Sequence, residues 1–123
     1  MPNKHCLIVD DSDVIRRVTN QMLTALGLQA TEAVNGEDAL ERCRQTMPDA
    51  IVLDWIMPVL SGLDCLQLLR RMPGGRRPAI IYCTTVNDPA EVARALAAGA
   101  DDVIVKPYDR EALRQKLVGL GVI

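Results

Sequence analysis

Five polar residues stand at the ends of four short apolar runs of the sequence. Two of them are adjacent, Asp10 and Asp11, and the others are spread along the chain at Asp54, Thr84 and Lys106. If the apolar runs are parallel strands of one sheet, their carboxyl ends share an edge and these side chains lie close together. Three carboxylates placed together repel one another unless a cation lies among them.

The chemistry that suits such a cluster is phosphoryl transfer. Carboxylate oxygens predict a site for Mg²⁺, and a hydroxyl and an ammonium beside it are groups that hold phosphoryl oxygens. An aspartate can itself accept the phosphoryl group, and Asp54 is the predicted nucleophile because it ends the most buried strand. Taken singly, each residue has an ordinary interpretation as a helix cap, a turn residue or a solvated lysine. Their shared position after separate strands favours the site.

The rest of the sequence alternates short apolar runs with longer amphipathic segments. The predicted strands are Cys6–Val9, Leu28–Ala33, Ala50–Leu53, Ala79–Cys83 and Val103–Val105. The predicted helices are Asp13–Leu26, Glu37–Thr46, Gly62–Met72, Pro89–Ala98 and a last one that Asp109 caps and that runs to about Leu120. This alternation predicts an α/β fold, a doubly wound five-stranded parallel sheet with five helices on its two faces.

Composition narrows the class of protein. Of the 123 residues, 49% are hydrophobic and 24% are charged, as in one globular domain. The net charge of −2 argues against a nucleic-acid binder, and no apolar stretch reaches the length of a membrane span.

The four cysteines form no CxxC pair, which favours buried, reduced thiols and a cytoplasmic location. Arginines at 70, 71, 76 and 77 flank a Pro-Gly-Gly break and are interpreted as a solvated helix end and loop.

These residues carry a resemblance to a known family. The chain resembles the receiver domains of two-component response regulators, and most of all the stand-alone CheY type. The matching stretches are Leu7-Ile8-Val9-Asp10-Asp11-Ser12, Asp54-Trp55-Ile56-Met57-Pro58, Gly62, Thr84-Thr85, Gly99-Ala100-Asp101 and Lys106-Pro107-Tyr108. They extend over essentially the whole chain.

The resemblance implies a flavodoxin-like sheet with strand order 2-1-3-4-5. It also implies that Asp54 accepts phosphate from a histidine kinase or a histidine phosphotransfer protein. Mg²⁺ would be bound by Asp10, Asp11 and Asp54, and by the backbone carbonyl of Ile56. Because the chain resembles a phosphoacceptor, we expect a signalling protein that promotes its own aspartyl phosphorylation and dephosphorylation, rather than an enzyme.

The resemblance also implies a switch. Thr84 and Lys106 would hold the phosphoryl oxygens, the Lys106–Pro107 peptide bond would be cis, and Thr84, Val103 and Tyr108 would pass the signal on. Receivers commonly carry Tyr or Phe where this chain has Val103, so the aromatic part of the usual switch is missing. We therefore expect activation to depend on the threonine.

Two further side chains border the approach of the hydrolytic water in the family. Here they are Ile56 and Val86, which cannot orient a water by hydrogen bonding. The aspartyl phosphate is therefore expected to last longer than in fast chemotaxis receivers.

The expected organisation is a single receiver domain over residues 1–123, monomeric and with no output domain. Its output would be phosphorylation-dependent binding of a protein target on the face of the fourth helix, fifth strand and fifth helix. A chemotaxis-type role and a relay or phosphate-sink role both remain open. An aspartyl-phosphate phosphatase would need a second acid two residues after Asp54, where Ile56 stands. A nucleotide-binding module would need a glycine-rich loop after the first strand, which is missing.

Overall fold

The computed structural model describes residues 4–85 and 87–123 and contains alternating strands and helices. In chain order they are β1 (His5–Val9), α1 (Asp13–Ala25), β2 (Gln29–Ala33), α2 (Gly36–Gln45), β3 (Ala50–Asp54), α3 (Gly62–Arg71), β4 (Ala79–Thr84), α4 (Pro89–Ala98), β5 (Asp102–Val105) and α5 (Arg110–Gly119). The strands form one parallel sheet in the order β2-β1-β3-β4-β5. This confirms the predicted fold class and strand order.

The register of the sheet brings the candidate residues to one edge. Val9 pairs with Leu53, and Thr84 pairs with Val105. Asp54 and Thr84 are the last residues of their strands, whereas the sequence placed them just after the strands. Each therefore gains the fixed backbone of a strand, and its side chain is held more firmly than it would be in a loop.

Each helix begins near this same edge, and a side chain caps its first turn. The capping residues are Ser12, Asn35, Ser61, Asp88 and Asp109, and each accepts a hydrogen bond from a backbone N–H two or three residues later. These bonds satisfy N–H groups that the helix itself cannot pair.

Alternate residues of the strands point to opposite faces of the sheet and form two cores. One core joins the sheet to α2, α3 and α4, and the other joins it to α1 and α5. The four cysteines are buried and free, which confirms the expectation for their thiols. Within the described residues, none of the helices is long and apolar enough to cross a bilayer.

Helix α1 turns a different face to the sheet from the one its apolar residues indicate. The apolar stripe consists of Ile15, Val18, Met22 and Leu26, of which Met22 and Leu26 pack at the margin of the core. The buried positions are Arg16, Thr19 and Leu23. Arg16 lies inward because its guanidinium donates a hydrogen bond to the backbone carbonyl of Asp10 at 2.7 Å. The apolar stripe is thereby displaced sideways, and Val18 remains 42% exposed.

Candidate functional site

Three carboxylates and one ammonium meet at the carboxyl edge of the sheet. One oxygen from each of Asp10, Asp11 and Asp54 lies within 4.8 Å of the others. Asp10 and Asp54 are buried, with 4% and 6% of their surface exposed, whereas Asp11 faces solvent. The Lys106 ammonium donates hydrogen bonds to Asp10 Oδ2 at 2.7 Å and to Asp54 Oδ1 at 2.9 Å. One cation is therefore shared between two buried acids.

Backbone amides fix the orientation of the two buried carboxylates. The N–H of Ser12 donates to Asp10 Oδ1 at 2.9 Å, and the N–H of Trp55 donates to Asp54 Oδ1 at 3.0 Å. Oδ1 of Asp54 thus accepts from both Trp55 and Lys106. The other oxygen, Oδ2, accepts no hydrogen bond from any residue in the described ranges. That oxygen retains its lone pairs for an external partner.

Gly62 allows the first turn of α3 to pack directly behind Asp54. A Cβ atom at this position would lie 2.2 Å from the carbonyl oxygen of Asp54 and 2.7 Å from the Cα atom of Trp55. Both neighbours are backbone atoms and cannot move aside without displacing β3. Glycine is therefore required for this approach, and the N–H of Gly62 donates to the carbonyl of Trp55 at 3.1 Å.

Electrostatics within the cluster favour a cation. Burial raises the pKa of the Asp54 carboxyl above its ordinary value of 3.8; the hydrogen bond from Lys106 opposes this, and the charge of Asp10 adds to it. Burial acts to lower the pKa of Lys106, but its hydrogen bonds to Asp10 and Asp54 outweigh burial and raise that pKa. Lys106 is therefore a permanent cation, and it faces more negative charge than it neutralises.

The donor set fits a hard divalent cation such as Mg²⁺. All three candidate ligands are carboxylate oxygens, which this ion prefers, and the exposed Asp11 leaves the cluster open to the water molecules that Mg²⁺ keeps. Ile56 lies two residues beyond Asp54, and its side chain is 61% exposed.

The residues expected to form the switch lie around this cluster. Thr84 is fully buried at the end of β4, and its carbonyl accepts a hydrogen bond from the N–H of Lys106 at 2.7 Å. Val103 is partly buried against the core that contains α4. The Tyr108 hydroxyl lies 2.9 Å from Thr19 Oγ1 across the cleft between α5 and α1. The expected cis bond between Lys106 and Pro107 is confirmed.

Tyr82 is buried in the core, with 2% of its surface exposed. Burial raises its pKa to about 12. Val86, expected to border the water approach, lies outside the described residues.

Sequence reasoning missed Arg16, which stabilises the turn that carries Asp10 and Asp11. Its guanidinium donates to the carbonyl of Asp10, pairs with the carboxylate of Asp13 and reaches Glu32 Oε1 at 3.1 Å. It thereby connects the turn after β1 to the edge strand β2. Arg16 stands outside the apolar stripe of α1, so the sequence carried no signal that could have identified it.

The family model for the response regulator receiver domain matches residues 6–118. The chemotaxis protein CheY of Thermotoga maritima is 35% identical over 106 residues, which are 85% of this chain and 87% of that protein. Other curated relatives are longer, and the chain spans about half of their length, 48% in two cases and 42% in a third.

Solved structures of receiver domains and CheY proteins are also similar to this chain. The chemotaxis protein CheY4 of Vibrio cholerae superposes with a TM-score of 0.91 at 29% identity, over 96% of this chain and 98% of that one. The receiver domain of a sensor histidine kinase from Pseudomonas aeruginosa superposes with a TM-score of 0.86 at 30% identity, over 98% and 99% of the two chains. That structure was solved with a magnesium ion coordinated in its active-site cleft.

Proposed function

The chain belongs to the response regulator receiver domain family, and from this premise we propose that Asp54 is its phosphoacceptor and that phosphorylation controls its binding to a protein target. Receiver domains are phosphoacceptor signalling domains of two-component systems, and they interact with histidine kinases or phosphotransfer proteins and with downstream targets. The proposed donor is a phosphohistidine on such a protein. Residues 1–123 act in this proposal as one monomeric receiver domain.

One observation carries the assignment of the acceptor. Asp54 ends the central strand β3, and its Oδ1 accepts hydrogen bonds from Lys106 and Trp55, which leaves Oδ2 without a donor among the described residues. Oδ1 is thereby held in place while Oδ2 is available to attack. Asp10 accepts bonds from Ser12 and Lys106 on both of its oxygens, which makes it a ligand rather than a nucleophile.

In the proposed transfer, Oδ2 of Asp54 attacks the phosphorus of the phosphohistidine. The new bond joins this oxygen to phosphorus, the phosphorus–nitrogen bond breaks, and the imidazole leaves and takes up a proton. The product is a mixed anhydride of the Asp54 carboxyl and phosphate. Attack in line with the leaving nitrogen requires the carboxylate to be fixed, which the strand and the two donors to Oδ1 provide.

The Asp54 carboxylate and the phosphoryl group are both anionic, so their negative charge must be neutralised before they can react. Asp10, Asp11 and Asp54, with the Ile56 carbonyl, are the residues proposed to hold Mg²⁺, which would neutralise phosphoryl oxygens when bound. Lys106 donates to both buried acids before transfer, and we assign it to a phosphoryl oxygen afterwards. The hydroxyl of Thr84 is proposed to hold another phosphoryl oxygen.

The proposed output begins at Thr84. Movement of this residue toward the phosphoryl group would shift the end of β4 and the segment that leads into α4. Val103 has no ring to rotate, so the output face of α4, β5 and α5 depends on this single displacement. Tyr108, in the loop before α5, contacts Thr19 of α1 and is positioned to transmit changes at Lys106, two residues before it.

Labelling with a small phosphodonor tests the proposal. Phosphoramidate with Mg²⁺ should add one phosphoryl group to the wild-type protein, seen by intact-mass spectrometry. Asp54→Asn should remain unlabelled, whereas Asp64→Asn, an exposed aspartate on α3, should be labelled like the wild type. Wild-type labelling of Asp54→Asn would contradict the assignment of the acceptor.

A further inference from the structure

The loop between α3 and β4 forms a second charged surface, at the edge of the sheet opposite Asp54. We define the arginine loop as residues 70–77, the last two residues of α3 and the turn that follows. It surrounds a surface concavity of about 620 Å³, lined by Arg70, Arg71, Arg76 and Arg77 with Met72 and two glycines. In a chain with a net charge of −2, this is a local concentration of positive charge.

The backbone of the arginine loop is held in one conformation from within. Arg70 donates hydrogen bonds to the carbonyls of Gly75 at 3.0 Å, Pro78 at 2.8 Å and Gly99 at 2.8 Å. A Cβ atom on Gly75 would lie 1.9 Å from the carbonyl oxygen of Leu69, so the turn packs against α3 as only glycine allows. The exposed arginines therefore project from a preorganised frame, which reduces the entropy lost on binding a partner.

Two outer guanidinium groups of the loop have no carboxylate partner among the described residues. Arg71 and Arg76 are exposed, and no carboxylate of the described residues lies within 4.0 Å of either. Four arginines on other helices each pair with a carboxylate one turn away, Arg42 with Asp38, Arg44 with Glu41, Arg94 with Glu91 and Arg114 with Glu111. Arg17 and Arg110 are exposed and also have no carboxylate within 4.0 Å among the described residues, so what distinguishes Arg71 and Arg76 is that both line one concavity. The donors of Arg71 and Arg76 are thus available to an external acceptor.

We propose that the arginine loop docks a short acidic segment, rich in Asp and Glu, of a partner protein. The planar guanidinium forms paired hydrogen bonds with a carboxylate, and two such groups flank one concavity. Nucleic acid fits less well because no aromatic side chain lines the concavity to stack on a base. A long polyanion would also meet the negative charge of the rest of the chain, whereas a short segment contacts the loop alone.

This docking surface goes beyond the proposed phosphoacceptor function and does not depend on it. The arginine loop precedes the amino end of β4, whereas Asp54 and Thr84 lie at carboxyl ends of their strands. A partner bound to the loop leaves the phosphorylation site accessible. The surface therefore provides a contact that persists whether or not Asp54 carries phosphate.

Titration with octaglutamate tests the proposal. At low ionic strength, NMR shifts of the isotope-labelled full chain should saturate and map to residues 70–77. Arg71→Glu with Arg76→Glu should weaken binding by at least about tenfold, the loss expected for charge-assisted hydrogen bonds. The matched control, Arg17→Glu with Arg110→Glu, makes the same change of charge at exposed positions of α1 and α5 and should bind almost as the wild type does. Asp54→Asn should keep the wild-type affinity.

Several results would overturn the proposal. If octaglutamate showed no saturable binding, the arginine loop would be only a solvated loop. An equal loss of affinity in the control variant, or a loss of affinity in Asp54→Asn, would also contradict the proposal. Tighter binding of octathymidylate than of octaglutamate at the same residues would also overturn it, because the surface would then prefer nucleic acid. All four substituted arginines are exposed, and urea unfolding of both double variants checks that the fold is retained.

Discussion

Aspartates lie at both edges of the sheet, but their surroundings differ. At the amino edge, Asp101 accepts hydrogen bonds from the N–H of Ile80 and from Arg70, both at 2.8 Å. Asp49 at the same edge accepts from the N–H of His5 at 2.8 Å. At the carboxyl edge, Asp10 and Asp54 crowd around Lys106, and Asp11 stands beside them.

The direction of the strands explains part of the contrast. Parallel strands present unpaired N–H groups at their amino ends and unpaired C=O groups at their carboxyl ends. A carboxylate at the amino edge is therefore satisfied by the backbone and stabilises the fold. At the carboxyl edge, Asp10 and Asp54 each accept one backbone N–H bond, but they lie with Asp11 in one cluster and share a single lysine, so the cluster remains in need of a cation. The two edges therefore differ in how closely their carboxylates are crowded and not in residue type.

The largest expected effect at the carboxyl edge comes from removing the metal. Labelling by phosphoramidate should fall by at least about 100-fold in EDTA, because uncompensated carboxylates repel the incoming phosphoryl oxygens. Asp11→Asn should weaken Mg²⁺ binding by about tenfold, since one charged ligand becomes neutral. The fluorescence of Trp55, adjacent to Asp54, should report the binding.

Asp64→Asn is the matched control for the metal, with the same chemical change at an exposed aspartate that is not one of the three clustered acids. If its Mg²⁺ affinity fell as far as that of Asp11→Asn, the metal would respond to overall charge and not to the three acids.

A substitution at the amino edge should lower the free energy of unfolding and leave phosphorylation nearly unchanged. Asp101→Ala removes two charge-assisted hydrogen bonds and leaves the N–H of Ile80 unpaired, which should lower the free energy of unfolding by about 2 kcal/mol. Urea unfolding measures this loss. Labelling of the folded variant by phosphoramidate should continue at nearly the wild-type rate, and a large loss of labelling would show that the two edges are coupled.

Asp54→Asn should raise stability at neutral pH, whereas Asp101→Ala lowers it. Burial and Asp10 raise the folded-state pKa of Asp54 above its unfolded value, so ionisation lowers stability as the pH rises from about 4 towards neutral. Asparagine does not ionise. Without metal, the variant should match the wild type at acidic pH and exceed it by about 1 kcal/mol at neutral pH. A deficit for Asp54→Asn at neutral pH in urea unfolding would contradict this account.

The smallest expected effect concerns the link from the site to α4. Thr84→Ala should still accept phosphate, but the NMR shifts that beryllofluoride produces at residues 92–98 should shrink, consistent with about 1 kcal/mol of lost coupling. Thr85→Ala, the exposed neighbour, should show the wild-type response. Shifts of full size in Thr84→Ala would show that the signal takes another route.

The parallel sheet and the residues at its carboxyl edge could be predicted from the sequence, because they depend on local patterns. Apolar runs followed by Asp10, Asp54, Thr84 and Lys106 predict the parallel sheet and the shared edge. Strand ends were less accurate: Asp54 and Thr84 are polar, yet the sheet extends through both. Ladder hydrogen bonds to neighbouring strands decide this, and a single run of sequence does not contain them.

Contacts between distant residues could not be predicted. Arg70 and Gly99 are 29 positions apart, and only the packed fold shows that the guanidinium reaches that carbonyl. Arg16 likewise accompanies a sideways displacement of the apolar stripe of α1, since its guanidinium bonds to Asp10 and Glu32 while Val18 stays exposed. Both arginines act on backbone groups, which every residue has and which no sequence pattern marks.

Chemical trapping of the acyl phosphate tests the central claim most directly. Borohydride reduces an aspartyl phosphate to homoserine, so protein labelled by phosphoramidate with Mg²⁺ should yield homoserine after reduction and digestion. Peptide mass spectrometry should locate it at position 54, and at neither position 10 nor position 11. Homoserine at either of those aspartates, or none in fully labelled protein, would contradict the assignment of Asp54 as the phosphoacceptor.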